Sequence, residues 1–214
     1  MRIVAGVDDA GRGPVLGPMV IAGVAIPEGS DGKLQAMGVK DSKLLSPHRR
    51  AQLYDEIVKF GDVHYEVVPP SLIDMYVKRR RKFLGLNLLE AEMMAKIIEK
   101  LKPDLAIVDA SDIEEQRFSE MIAERLPMKI KILAEHKADL KYPVVSAASI
   151  VAKVVRDRII EDLKRDYGDF GSGYAADPKT IAFLKEYYVR NRAFPPMTRM
   201  SWKTVARMEK ELAT

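Results

Sequence analysis

The amino-acid sequence predicts an α/β protein in which helices flank a mixed sheet, followed by a small helical C-terminal extension. Two short apolar runs near the start indicate consecutive strands, and strand patterns then alternate with helical patterns. With 214 residues, 47% of them hydrophobic, the chain is long enough for one sizeable core and a small appended element. We expect a main domain over residues 1–168 and a helical extension, packed on it, over residues 169–214.

The individual elements follow from apolar patterning and from turn and capping residues. Glycine and proline bound the apolar runs at 3–8 and 19–26, which predicts two strands. Ser46-Pro47 and Asp177-Pro178 each pair an N-cap with a proline at the first helical position, which predicts two helix starts. The remaining predicted elements are strands at 64–68, 105–109 and 129–134, and helices at 87–101, 114–126, 144–167 and after Ser201.

Composition narrows the class of protein. The 35 basic residues exceed the 31 acidic ones by four, which admits a polyanionic partner without requiring one. Because the chain has no cysteine, disulfides, thiolate zinc sites and cysteine nucleophiles are excluded. No apolar run reaches the ~18 residues of a membrane span, and acids interrupt the N-terminal run where a signal peptide would continue. We expect a cytoplasmic monomer with no membrane association.

Four aspartates lie at or just after the ends of predicted strands: Asp8, Asp9, Asp109 and Asp139. Functional groups gather at strand ends in α/β sheets, so these carboxylates can converge. Converging carboxylates repel one another unless a cation or proton offsets their charge, and their hard oxygens favour Mg²⁺ or Mn²⁺. Such a cluster suits phosphodiester hydrolysis with two metal ions. Taken singly, each aspartate also fits a cap, a turn or a surface charge.

A glycine-rich turn, Gly11-Arg12-Gly13-Pro14, follows the first predicted strand. Glycines beside acids allow a substrate backbone to approach closely, and Arg12 can meet a phosphate. The glycine spacing does not match a dinucleotide fingerprint, and no Gly-Lys-Ser/Thr ends a P-loop. A tight structural hairpin remains the alternative interpretation.

Basic and aromatic side chains supply further candidates for nucleic-acid contact. Lys153 and Arg156 lie on a predicted helix and can hold phosphates, although a solvated helix face explains them equally well. The basic run at 78–82 fits either nucleic-acid contact or a solvated loop. Tyr174, in the turn Gly171-Ser172-Gly173-Tyr174, can stack on a sugar or base, or it can be buried.

Together these motifs resemble those of the type 2 ribonucleases H, and specifically ribonuclease HII of the archaeal type. Several separate motifs agree in order over essentially the whole chain, so the resemblance is highly specific. The matching segments are Gly6–Pro14, Asp41-Ser42-Lys43, Val108-Asp109-Ala110, His136–Asp139 with Tyr142–Ile150, Gly171–Tyr174 and Trp202-Lys203-Thr204.

The resemblance implies a ribonuclease H-like catalytic domain that hydrolyses the RNA strand of RNA–DNA hybrids. It also implies incision at ribonucleotides embedded in duplex DNA, by two metal ions, leaving 5′-phosphate and 3′-hydroxyl ends. Its implied catalytic and metal-binding residues, for Mg²⁺ or Mn²⁺, are Asp8, Asp9, Asp109 and Asp139. Its implied substrate-binding residues are Gly11, Arg12 and Gly13 at the ribonucleotide 2′-hydroxyl, Tyr174 at the junction sugar, and Ser42, Lys43 and Lys153 along the backbone.

One position departs from the family pattern, because Asp9 stands where the family usually has glutamate. Neighbouring residues of a regular strand point to opposite faces, so Asp8 and Asp9 reach the same ions only with a local bend or a long side chain. Either the backbone compensates for the shorter aspartate, a water bridges it to the ion, or the second ion binds weakly.

Two hypotheses follow from this departure. In the first, the chain is an active hybrid nuclease whose divalent-metal-dependent cleavage is abolished by Asp109→Asn or Asp139→Asn. In the second, it is a catalytically weakened protein that binds RNA–DNA hybrids without cutting them. The agreement of the three other acids favours the first hypothesis.

Overall fold

The computed structural model describes residues 1–39, 45–79 and 82–212, apart from the side chains of residues 82 and 83. The five strands of its sheet are β1 (Ile3–Ala10), β2 (Met19–Pro27), β3 (Asp62–Val68), β4 (Leu105–Asp109) and β5 (Lys131–Glu135). The helices in the described ranges are α1 (Asp31–Met37), α2 (Pro47–Phe60), α3 (Pro70–Arg79), α4 (Lys82–Leu101), α5 (Glu115–Ala123), α6 (Ala138–Lys141), α7 (Pro143–Tyr167), α8 (Pro178–Asn191) and α9 (Lys203–Leu212).

The strands form one mixed sheet in the order β3-β2-β1-β4-β5. β1 pairs antiparallel with β2 and parallel with β4, and β4 pairs parallel with β5. The predicted α/β class is therefore confirmed, and the parallel pairs bring the carboxyl ends of β1, β4 and β5 to one edge.

Capping residues begin the helices where the sequence predicts. The Ser46 hydroxyl accepts a hydrogen bond from the Arg49 amide at 3.2 Å, ahead of α2. The Asp177 carboxylate accepts one from the Lys179 amide at 2.9 Å, ahead of α8. Each bond satisfies one of the amides that a helix start leaves without an intrahelical partner.

Three helices, α1, α3 and α6, were not among the predicted elements. Pro70 was predicted to end a strand, but it also occupies the first position of α3. The basic run at 78–82 is partly helical, because Lys78 and Arg79 form the last turn of α3 and Lys82 begins α4. Residues 80 and 81 lie outside the described part of the chain.

The chain divides into two compact units, each built from separate stretches of sequence. The first unit comprises Met1–Ala10, Val20–Val67 and Asn87–Val155, and the second comprises Gly11–Met19, Val68–Leu86 and Arg156–Thr214. All of the predicted extension, residues 169–214, belongs to the second unit. The proposed boundary at residue 168 itself stays a prediction.

Each unit has its own apolar core. In the first unit, the fully buried side chains include Val7 and Val108 of the central strands and Ile97 of α4. In the second unit the fully buried side chains include Leu16, Ile73, Phe170, Leu184 and Val205. Removing this apolar surface from water is the main stabilising contribution to folding.

Among the described residues, none of the helices combines the length and the apolar character needed to cross a membrane.

Candidate active site

Asp8 is a buried and strongly perturbed acid of the first unit. It lies near the end of β1, and only 4% of its surface is exposed. Burial raises the pKa of Asp8 to about 8, and the neighbouring carboxylates of Asp9 and Asp109 contribute to the rise, whereas Lys153 and Ser149 oppose it. The structure thus brings Asp8, Asp9 and Asp109 into one electrostatic neighbourhood.

A hydrogen-bonded chain connects Asp8 to a lysine on α7. The Ser149 hydroxyl hydrogen-bonds the Asp8 carboxylate, and the Lys153 ammonium donates to the Ser149 oxygen at 2.8 Å. Ser149 and Lys153 are four residues apart on one helix and therefore share a face. The sequence analysis selected Lys153 as a candidate but did not select Ser149. The four-residue spacing to Lys153 is the signal that could have identified Ser149.

Gly6 explains how α7 comes so near to Asp8. A Cβ at Gly6 would overlap the backbone of Val144 and Val145, so the first turn of α7 lies directly against β1. Two residues along a strand advance about 7 Å and five residues along a helix about 7.5 Å. Ser149 consequently comes level with Asp8.

Asp109 links the end of β4 to the segment that carries Asp139. Its carboxylate accepts a hydrogen bond from the Ala138 amide at 2.8 Å. Lys137, between β5 and α6, adopts a left-handed conformation, with φ at 56°. Asp139 follows in the first turn of α6, where it is buried.

The donor chemistry of these acids suits a divalent cation. Among the described residues, however, no three His, Cys, Asp or Glu side chains lie close enough to form a ready-made metal cage. Burial is the largest cause of the raised pKa of Asp8, and the negative charges of Asp9 and Asp109 raise it further, against the opposing effect of Lys153. A hard cation bound by carboxylate oxygens would offset these negative charges, so the residues fit Mg²⁺ or Mn²⁺.

The strand pairing shows no bulge at Asp9 that would compensate for its shorter side chain. β1 stays in regular register with β2 through Asp8, opposite Ala22, and Asp9, opposite Ile21. The Asp9 amide donates to the Asp8 carboxylate at 2.7 Å, and the Asp9 side chain is half-buried. Its charge nevertheless acts on the same site, because it is the strongest of the carboxylate influences on the pKa of Asp8.

In the second unit, the glycine turn is held through its carbonyl oxygens. The Arg199 guanidinium donates to the carbonyls of Gly11 at 2.6 Å, Arg12 at 2.8 Å and Gly17 at 3.0 Å. The Trp202 indole donates to the Gly13 carbonyl at 3.0 Å. Sequence reasoning did not identify Arg199, because a side chain that bonds backbone atoms far away in the chain leaves no local pattern.

Gly11 is required by what packs on it, whereas a side chain at Gly13 would meet only an ordinary contact. Gly11 has φ at +85°, and a Cβ there would overlap the Arg156 guanidinium, whose Nε donates to the Pro18 carbonyl at 3.2 Å. A Cβ at Gly13 would lie 3.4 Å from the Tyr174 ring. Side chains of Arg156 and Tyr174 therefore pack against the turn. The interpretation of Arg156 as part of a solvated helix face is wrong, because its side chain is buried.

Tyr174 is available to a ligand, since 45% of its surface is exposed. This excludes the alternative of a buried tyrosine.

Asp177 fixes the loop that carries Tyr174, because it accepts hydrogen bonds from the Ser172 amide and hydroxyl at 2.7 Å each. These hydrogen bonds and that of the Lys179 amide lower the pKa of Asp177 to about 2. The structure thus places Gly11, Arg12, Gly13 and Tyr174 in one unit, while Ser42 and Lys43 lie outside the described residues.

Comparisons with known sequences and structures point to the same family. A family model for ribonuclease HII matches residues 5–205. A ribonuclease HII from Pyrococcus furiosus is 48% identical over 212 residues, which are 98% of this chain and 92% of that protein. A crystal structure of ribonuclease H2 from Pyrococcus horikoshii has a TM-score of 0.91 at 43% identity and covers 99% of both chains. Ribonuclease HII of Archaeoglobus fulgidus, in a complex with PCNA, has a TM-score of 0.86 at 45% identity, over 96% of both chains.

Proposed function

Because the chain belongs to the ribonuclease HII family, and is therefore a metal-dependent ribonuclease H acting on RNA–DNA hybrids, we propose that it also incises duplex DNA at embedded ribonucleotides. Cleavage on the 5′ side of the ribonucleotide leaves 5′-phosphate and 3′-hydroxyl ends. The observation that carries the proposal is the placement of the acids: Asp8, Asp9 and Asp109 lie at the ends of the adjacent strands β1 and β4, and Asp109 accepts a hydrogen bond from the Ala138 amide, directly before Asp139. Acids so arranged at the ends of adjacent strands are suited to bind cations for phosphodiester hydrolysis.

In this proposal, Asp8, Asp9, Asp109 and Asp139 hold two divalent ions, Mg²⁺ or Mn²⁺. When bound, the ions supply activation of the attacking water and stabilisation of the charge on the leaving oxygen. The aspartates bind the ions and do not act as nucleophiles. Ser149 and Lys153 orient the Asp8 carboxylate and offset part of its charge, through the hydrogen bonds from the lysine to the serine and from the serine to Asp8.

Recognition of the ribonucleotide and its sugar is assigned to the second unit. Gly11, Arg12 and Gly13 contact the 2′-hydroxyl, the group that distinguishes RNA from DNA. Tyr174 stacks on the sugar at the RNA–DNA junction, which its exposed ring supports. Ser42, Lys43 and Lys153 bind the phosphate backbone, and such contacts position nucleic acid without reading its sequence.

The family assignment favours an active enzyme over a catalytically weakened hybrid binder. Asp9 still acts on Asp8 through its negative charge. Compared with glutamate, aspartate therefore shortens the reach of the carboxylate toward an ion but keeps its charge. A water between Asp9 and an ion, or a weakly held second ion, remains compatible with this arrangement. We therefore expect activity with an increased requirement for metal, which Asp9→Glu reduces.

The proposal is tested with a labelled DNA duplex that contains one ribonucleotide. Mg²⁺ and Mn²⁺ are titrated separately, the product ends are mapped, and Asp9→Glu and Asp109→Asn are assayed in parallel. We expect incision on the 5′ side of the ribonucleotide by the natural chain and none by Asp109→Asn. Cleavage of a long hybrid without incision at the single ribonucleotide would contradict the proposed activity. Arg12→Ala removes the side chain and keeps the backbone amide, so lower discrimination between ribonucleotide-containing and all-DNA duplexes would assign recognition to the side chain, and unchanged discrimination would assign it to the backbone of the turn.

A further inference from the structure

Arg199 occupies an unusual position for a charged side chain, because it is fully buried within the second unit. Three of its nitrogens donate to three different carbonyls: Nε to Gly17, Nη1 to Arg12 and Nη2 to Gly11. Its guanidinium also lies 5.0 Å from the centre of the Trp202 ring, within range of a cation–π interaction. A buried guanidinium needs hydrogen-bond acceptors, and here backbone carbonyls of the glycine turn and of Gly17 accept from all three of its nitrogens.

The segment that carries Arg199 is itself paired with the turn through backbone hydrogen bonds. The Gly17 amide donates to the Met197 carbonyl at 2.9 Å, and the Arg199 amide donates to the Val15 carbonyl at 2.8 Å. Leu16 and Thr198 form an antiparallel bridge between these two bonds. The side chain of Arg199 therefore reaches the turn from a fixed backbone position.

Holding the carbonyls of the turn also orients its amides. In a trans peptide the C=O and the following N–H point in opposite directions, and none of the described peptide bonds is cis. Since the carbonyls of Gly11 and Arg12 point to Arg199, the amides of Arg12 and Gly13 point away from it. These two amides are thereby presented together, as donors with a fixed direction.

A buried carboxylate fixes the other side of the same segment. Asp74 on α3 accepts hydrogen bonds from the Met200 amide at 2.9 Å, the Ser201 amide at 2.8 Å and the Ser201 hydroxyl at 2.5 Å. It is buried, so these bonds are shielded from water. Asp74 thus anchors the two residues that follow Arg199 directly in the chain.

We infer that Arg199 is a positioning residue for ribonucleotide recognition, supported by Asp74. It holds the carbonyl side of the glycine turn, so that the amides of Arg12 and Gly13 meet the 2′-hydroxyl without rearranging. The inference rests on the proposed recognition of that hydroxyl by the turn. Arg199 itself does not touch the substrate, and its contribution is to the selectivity for ribose over deoxyribose.

The guanidinium shape is essential to this role. Arginine presents separate nitrogens in a rigid planar fork, whereas the lysine ammonium is a single nitrogen at the end of a flexible chain. Arg199→Lys keeps the positive charge but cannot place donors at the three separate positions of Nε, Nη1 and Nη2, which bond Gly17, Arg12 and Gly11. It therefore separates the positioning role from the electrostatic contribution of a buried cation.

The experiment measures binding with Ca²⁺ in place of Mg²⁺, using a duplex with one ribonucleotide and an all-DNA duplex of the same sequence. The measured quantity is the dissociation constant for the all-DNA duplex divided by that for the ribonucleotide-containing duplex. This ratio is compared for wild type, Arg199→Lys and Asp74→Asn. Leu184→Ala, which removes a buried side chain from α8 of the same unit, is the control for general destabilisation. Thermal unfolding of every variant is recorded alongside.

We expect Arg199→Lys to lower the ratio roughly tenfold, the size of effect expected when a hydrogen bond to the hydroxyl is lost. Leu184→Ala should keep the wild-type ratio despite an equal or larger fall in Tm. A ratio that Arg199→Lys leaves unchanged would overturn the inference and leave the proposed function intact. A wild-type ratio near one would instead contradict the proposed recognition itself. If Arg199→Lys does not fold, Asp74→Asn decides: a several-fold lower ratio supports the inference, and an unchanged ratio overturns it.

Discussion

Replacing Asp8 with asparagine should stabilise the metal-free protein at neutral pH. The pKa of Asp8 in the fold is about 8, compared with 3.8 for an unperturbed aspartate. Because the folded-state value is raised, the charged form is disfavoured in the fold, and stability is lost as the pH rises from about 4 to about 8. At 1.36 kcal/mol per pKa unit, the loss at pH 7 is on the order of 4 kcal/mol. The asparagine substitution keeps the size of the side chain and removes the charge.

The assay is urea unfolding in EDTA between pH 4 and pH 8, for wild type and Asp8→Asn. The variant should have the higher free energy of unfolding at pH 7 to 8, and the difference should vanish towards pH 4. Asp55→Asn, at an exposed site on α2, serves as a control in which no such gain is expected. A saturating divalent cation should then stabilise the wild type more than Asp8→Asn. An Asp8→Asn protein no more stable than wild type at pH 8 in EDTA would refute the electrostatic reasoning.

Three further predictions concern packing, stacking and charge. Gly6→Ala should lower the free energy of unfolding by about 3 kcal/mol, because the new Cβ overlaps the backbone of α7. Gly32→Ala, whose Cβ meets nothing within 4 Å, should lower it little. Similar losses for the two variants in urea unfolding would contradict this packing. Tyr174→Ala should reduce incision at single ribonucleotides about tenfold, and long hybrids less, since one stacking contact is lost; equal losses would count against a role at the junction. Lys153→Met should raise the pKa of Asp8 further, because a compensating charge is removed; an unaltered value in an NMR titration in EDTA would contradict the proposed compensation.

Local sequence signals predicted most of the fold. Apolar runs bounded by glycine and proline located the strands, and side-chain caps followed by proline located the starts of α2 and α8. The unpredicted helices carry weaker or conflicting signals, and Ser30, which precedes α1, makes no side-chain capping hydrogen bond. α6 is a single turn that depends on the left-handed Lys137, and α3 begins at a proline that also ends a strand pattern.

The candidate site could be predicted from the sequence where the type and spacing of the residues indicate a chemical role. The four aspartates and the glycine turn could be selected from the sequence, and the aspartate-bearing strand ends of β1 and β4 are adjacent in the sheet. The supporting residues could not be predicted, because Arg199 bonds carbonyls 182 to 188 positions earlier in the chain. Such contacts arise only once the chain has folded, and they leave no periodicity in the sequence. The cytoplasmic location and the monomeric state stay predictions.

The central claim, that Asp8, Asp9, Asp109 and Asp139 hold the divalent ions, is tested most directly by Mn²⁺ binding. Electron paramagnetic resonance would follow a Mn²⁺ titration of wild type, Asp109→Asn and Asp139→Asn, with Asp55→Asn as the exposed-acid control. We predict that wild type and Asp55→Asn bind Mn²⁺ alike and that both site variants bind it at least tenfold more weakly. Equal Mn²⁺ affinity in all four proteins would contradict the claim, because the ions would then be held elsewhere.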